Sequence, residues 1–212
     1  MFQSPLLPRM TDYFALFDEP RRPWLDTEAL KQKFLARSTE VHPDRVHGAS
    51  DADRRLANER YTDLNSAYVC LREPRDRLRH LLELELGRKP ADLQAGSSEL
   101  ADLYMKVAVV CREADAFLAR QAKVTSALLR AQSFPESQNF TERLTALQRT
   151  SISHHEKLLA QLGALDTAWV ESAAESPTRS ELLTELEDLC RWLGFVSRCN
   201  GQIQERLVCL MF

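Results

Sequence analysis

The chain has 212 residues, 44% of them hydrophobic and 28% charged, with a formal net charge of -3. This is an ordinary globular composition, which excludes a disordered or membrane-embedded chain, and the near-balanced charge supplies no global field to recruit nucleic acid. The five cysteines (Cys70, Cys111, Cys190, Cys199 and Cys209) are scattered and include no CxxC pair, arguing against a disulfide framework or zinc site and for a reducing compartment. No run approaches the roughly 18 to 20 apolar residues of a membrane span. The start "MFQSPLLPRM" lacks the basic and apolar blocks of a signal peptide, so a cytoplasmic protein with no membrane partner is expected.

Glycine is scarce, β-branched alternation is almost absent, and Leu, Ala, Glu, Arg and Gln dominate the periodic segments, so the expected fold class is all-α. "DYFALF" forms a short apolar turn or helix, interrupted by "EPRRPW", whose Pro20 and Pro23 lack backbone donors. Asp26 is a good N-cap for a helix with Leu30, Phe34 and Val41 on its inner stripe. That helix must stop at His42, because Pro43 would remove a helical hydrogen bond and clash with the preceding turn. After a loop through Gly48, Ser50 and Asp53 form an acidic variant of the capping box. Ala57, Tyr61, Leu64, Tyr68 and Leu71 then make one apolar face, closed by Pro74. Two such helices pack most simply as an antiparallel hairpin.

The basic segment "RDRLRHLLELELG" predicts a further helix ending at Gly87, and "GRKPADLQAGSS" reads as a linker. The expected organisation is an N-terminal domain at 1–90, a linker at 91–97 and a helical bundle at 98–212. The bundle holds three long helical patterns, about 98–131, 139–172 and 179–211, separated by "SFPESQ" and "AESPTR". Its first helix carries Leu100, Leu103, Val107, Val110, Ala114, Phe117 and Gln121, and its middle one Leu144, Leu147, Leu158, Leu162, Leu165 and Trp169. The last has a seam of alternating four-three spacing from Leu182 to Leu210, with Asn200 in its one polar seat.

Chemistry has no evident seat in this pattern. His42 and His47 share a loop without another soft ligand nearby, and the neighbours His154 and His155 diverge by about 100° on a helix, so no metal site is expected. No Gly-rich phosphate loop, GxSxG elbow or HExxH occurs, and Cys70 has no sequence-local base, so neither an enzyme nor a cofactor is expected. The His-Pro-Asp stretch solves a problem of presentation instead. Pro43 stiffens the loop and forces His42 extended, leaving Asp44 as a carboxylate on a rigid mount for an arginine of a partner. The alternative is that Asp44 caps a turn.

"DYFALF" at 12–17, "LDTEAL" at 25–30, "VHPDR" at 41–45, "LNSAY" at 64–68 and "EPRDRLRHLLEL" at 73–84 resemble, in order, the J-domain of HscB-type proteins. The resemblance implies an N-terminal J-domain with an antiparallel helical hairpin plus a C-terminal three-helix bundle. It also implies a co-chaperone that stimulates ATP hydrolysis by a DnaK- or HscA-type chaperone. The matching chaperone-binding positions are His42, Pro43, Asp44 and Arg45, with Lys31 and Lys33 on the preceding helix. In the family the bundle binds the iron–sulfur scaffold IscU and delivers it for cluster transfer. Met105, Val109, Val110, Arg112, Glu113 and Phe117 are the corresponding scaffold-binding candidates. Arg37 and Thr39 depart from the family's apolar and basic preferences, and Arg37 is expected to lay its methylene stem on the core with its head in solvent. The rival readings are a J-domain protein that presents a different client and a structural helical adaptor.

Overall fold

The computed structural model describes residues 11–42, 50–90 and 98–211. Among these residues regular structure is helical throughout. The N-terminal pattern "DYFALF" begins with Asp12, whose Oδ1 accepts from the backbone of Phe14 and Ala15. It winds into a 3-10 helix, Ala15–Phe17, that buries Phe14 and Phe17.

Helix α1, Thr27–Glu40, starts where expected, with the Asp26 carboxylate accepting from the amides of Glu28 and Ala29. Ser50 caps α2, Asp51–Arg72, by accepting from the Asp53 amide while donating its hydroxyl to the Asp53 carboxylate. The contacts Phe34–Tyr68 and His42–Tyr61 run in opposite senses along the two helices, which makes α1 and α2 the expected antiparallel hairpin. Pro74 both ends α2 and opens α3, Pro74–Leu86, because the first helical position needs no N–H. Gly87 stops α3 in the left-handed region at φ 65°, donating its amide to Glu83, a conformation strained for any residue with a Cβ.

The chain falls into two compact units, one formed by Met1–Ala91 with Gln161–Cys190, the other by Asp92–Ala160 with Arg191–Phe212. In the second unit, α4 (Ser98–Gln121) touches α7 (Pro177–Met211) through Tyr104–Phe195 and Asp115–Arg206, pairs of equal sequence separation, so these helices run parallel. Helix α6 (Phe134–Glu171) opposes both: Phe140 packs on Phe117, Arg143 pairs with Glu113, and Gln148 bonds Gln204. The three long patterns predicted a three-helix bundle, and these contacts give it an up-down-up course.

The first bundle helix is shorter than expected. It stops at Gln121, passes through tight turns at Lys123 and Val124, and a separate short helix α5, Ala127–Gln132, follows from Ser126 in extended conformation. The separation expected over "SFPESQ" narrows to Ser133, because α6 already begins at Phe134 and Pro135 occupies its first turn, where its missing donor costs nothing. Leu182, Leu186, Leu189, Leu193, Val196 and Ile203 are buried along α7, as the four-three spacing requires.

Candidate functional site

The last turns of α1 carry the residues that lead into the His-Pro-Asp loop. Lys31 is exposed and lies 3.5 Å from Glu28 on its own helix. Lys33 reaches back to Glu19 at 2.7 Å, so its charge is neutralised locally. His42 meets Tyr61 of α2 edge-on at 5.3 Å, which fixes the imidazole at the mouth of the hairpin. Pro43, Asp44 and Arg45, like His47, lie outside the described residues.

Arg37 differs from its expected role. Its guanidinium donates to the Leu16 carbonyl and to the Asp18 carboxylate, and it lies 5.9 Å from the Phe17 ring centre. Its head is therefore engaged rather than left to solvent, and it ties the final turns of α1 to the 3-10 helix. Thr39 donates its hydroxyl to Leu35 one turn back, adding no charge to the face.

The "EPRRPW" interruption is held residue by residue. Trp169 of α6 donates its indole N–H to the Arg21 carbonyl at 2.8 Å. The Asp166 carboxylate, 4% exposed, takes both arms of the Arg22 guanidinium and accepts the Trp24 amide at 3.0 Å. That hydrogen bond holds the Arg22 pKa above its ordinary value. Arg77 of α3 donates to the Pro23 carbonyl and to the Leu71 carbonyl, each at 2.8 Å. Burial pushes its pKa down to about 10, still high enough to keep the charge at neutral pH. The sequence placed Arg77 in a basic segment and gave Asp166 no role. The clue was the pair of prolines: a rigid turn cannot satisfy its own backbone groups, so buried side chains must.

His80, also on α3, is buried and accepts the Tyr13 amide at its Nε2, while its ring stacks on Tyr13 at 4.5 Å. Burial lowers its pKa, and an accepting Nε2 requires the neutral ring with its proton on Nδ1. Cys70 is consistent with a structural thiol, since burial pushes its pKa up to about 11 and its Sγ donates to the Asp76 carbonyl. Among the described residues no three His, Cys, Asp or Glu side chains converge on a possible metal site. No helix among them is long and apolar enough to cross a membrane.

On α4 the six bundle candidates separate into two groups. Met105 and Val109 are 61% and 45% exposed, beside exposed Tyr104, and form an apolar strip on the open side of the helix. Arg112 and Glu113 are exposed as well, with Glu113 paired to Arg143 at 2.6 Å. Val110 and Phe117 are 8% and 2% exposed, the latter packed on Phe140. They share the inner face of α4 with Val107 and Ala114, the bundle-core placement that is the other fate open to apolar residues at this spacing.

No protein-family model matches the chain. A co-chaperone protein HscB homolog of Paraburkholderia phymatum is 30% identical over 174 residues, spanning 81% of this chain and 95% of the relative. The chain belongs to the HscB co-chaperone family. An HscB homolog of Cupriavidus taiwanensis is 31% identical over 82% of the chain and 88% of its own length. One from Chromobacterium violaceum reaches 42% identity, but over 73 residues that span 34% of this chain and 42% of the relative. HscB structures share the fold at lower identity. The Vibrio cholerae chaperone HscB superposes with a TM-score of 0.59 at 22% identity, covering 92% of this chain and 96% of its own. Human co-chaperone HscB gives 0.61 at 16% identity, covering 94% and 83%. The J-domain hairpin and the C-terminal bundle are therefore the architecture of this family.

Proposed function

We propose that this HscB-family protein is a cytoplasmic co-chaperone that stimulates the ATPase of a DnaK- or HscA-type chaperone and delivers the iron–sulfur scaffold IscU to it. The supporting observation is the family membership together with "VHPDR" at 41–45, which continues directly from α1. Residues 1–90 serve as the J-domain and 98–212 bind the scaffold. His42, Pro43, Asp44 and Arg45, with Lys31 as the exposed cation of α1, contact the chaperone. Lys33 supports the surface less directly, because it already pairs with Glu19. The protein has no active site in this reading; the hydrolysis it accelerates belongs to its partner.

Met105 and Val109 bear the scaffold contact, with Arg112 at its edge, since these side chains are exposed on one stretch of α4. Single-turnover ATP hydrolysis by candidate chaperones, with and without this protein and IscU, tests the proposal. It predicts acceleration by the protein and further acceleration with IscU present. No acceleration of any DnaK- or HscA-type chaperone would refute the chaperone half. A different client retained on the bundle in place of IscU would refute the scaffold half.

A further inference from the structure

We infer that Asp166 is a positioning residue for chaperone engagement, acting through the proline turn that launches α1. This rests on the function proposed above and adds a residue that lies far from the His-Pro-Asp loop in sequence. The turn 20–24 contains two prolines and immediately precedes the Asp26 cap, so its geometry sets where α1 begins and how it is aimed.

Four consecutive residues of the turn are gripped by side chains from elsewhere in the chain. Trp169 holds the Arg21 carbonyl, Asp166 holds the Arg22 side chain and the Trp24 amide, and Arg77 holds the Pro23 carbonyl. Asp166 is the only charged group in this set that binds both a side chain and a backbone donor of the turn, and it does so from a buried site. A carboxylate removed from water forms strong, directional hydrogen bonds and is costly to leave unpaired, so the turn is held to the 161–171 end of α6 within the same unit. Helix α1, which carries Lys31 and ends at the His-Pro-Asp loop, inherits that orientation. Loosening the turn spreads α1 over several orientations and lowers the fraction competent to bind, which raises the apparent dissociation constant in proportion.

The test uses the full chain with Asp166→Asn, which keeps an acceptor for the Trp24 amide but loses the charge on Arg22, and Asp166→Leu, which loses both. Hydrogen exchange is measured at the amides of residues 24–30, and chaperone stimulation is titrated at a temperature where circular dichroism gives unchanged helicity. In Asp166→Leu, exchange at these amides should rise about tenfold, the equivalent of one lost hydrogen bond, with a smaller rise in Asp166→Asn. The half-saturating concentration for chaperone stimulation should rise several-fold in the same order, about in proportion to the lost competent fraction, while maximal stimulation is kept. Should Asp166→Leu fail to fold, Arg22→Gln provides the same reading from the partly exposed side of the pair. Unchanged exchange would overturn the inference without touching the proposed function. Faster exchange with an unchanged half-saturating concentration would reduce Asp166 to a structural residue. A wild-type protein that stimulates no chaperone would overturn the proposed function and this inference together.

Discussion

Phe34 of α1 and Tyr68 of α2 stack nearly parallel, with ring centres 4.2 Å apart and 11° between their planes. This pair clamps the hairpin midway between the buried Leu30 and the loop-bearing end of α1. An aromatic pair is worth about 0.5–1.5 kcal/mol beyond its buried area. A double-mutant cycle of Phe34→Leu and Tyr68→Leu, followed by urea unfolding, should return a coupling of that size. Additive single effects would mean that the rings merely fill space.

Arg37 ties the end of α1 to the 3-10 helix through Leu16 and Asp18. Replacing it with Met keeps most of the stem but removes the donors. A loss of about 1–2 kcal/mol is expected, given one charge-assisted bond to a carbonyl and one partly exposed ion pair. Asp18→Asn should cost less, since the Leu16 bond survives. Equal losses for the two variants would contradict this division.

His80 makes stability depend on pH. Its pKa in the folded protein lies below the ordinary 6.5 because burial disfavours the imidazolium, and a protonated Nε2 would face the Tyr13 amide donor. As pH falls the unfolded chain takes up this proton first. The contribution is therefore present in full above the ordinary pKa and is lost as pH drops through it toward the folded value. Chemical unfolding at pH 7.5 and at pH 5.5 should show the wild type losing stability, and His80→Gln losing less over the same interval. An identical loss in both proteins would remove His80 from the account.

Ser151 is fully buried in α6, and its hydroxyl has no hydrogen-bond partner among the described residues. A buried unpaired hydroxyl costs about 1–3 kcal/mol in desolvation. Ser151→Ala should therefore raise the melting temperature, against the usual direction for a core truncation. A lowered value would mean that the hydroxyl has a partner, such as an ordered water.

Much of the helical order was legible because its determinants are local. Asp26, Ser50, Pro74 and Gly87 are start and stop signals whose chemistry acts within one turn, and each performs its predicted task. The α7 seam was legible for a similar reason, as its spacing reports one face of a single helix. Pro135 was misread because a proline that breaks a helix interior is harmless in the first turn, and the sequence alone did not fix which of these it was. Arg77 and Asp166 were missed because their partners are backbone groups of a turn 54 and 142 residues away, which no helical period can report. Among the bundle candidates, apolar character could not separate Met105 and Val109, which face outward, from Val110 and Phe117, which face inward.

The central claim is that this HscB-family protein acts through its His-Pro-Asp loop on a DnaK- or HscA-type ATPase, and Asp44→Asn tests it most directly. The substitution keeps the shape of the side chain and removes its charge, and with it the partner proposed for a chaperone arginine. Single-turnover ATP hydrolysis by the chaperone, measured with wild type and variant at equal helicity, should show acceleration by the wild type and none by Asp44→Asn. Undiminished acceleration by Asp44→Asn would contradict the account.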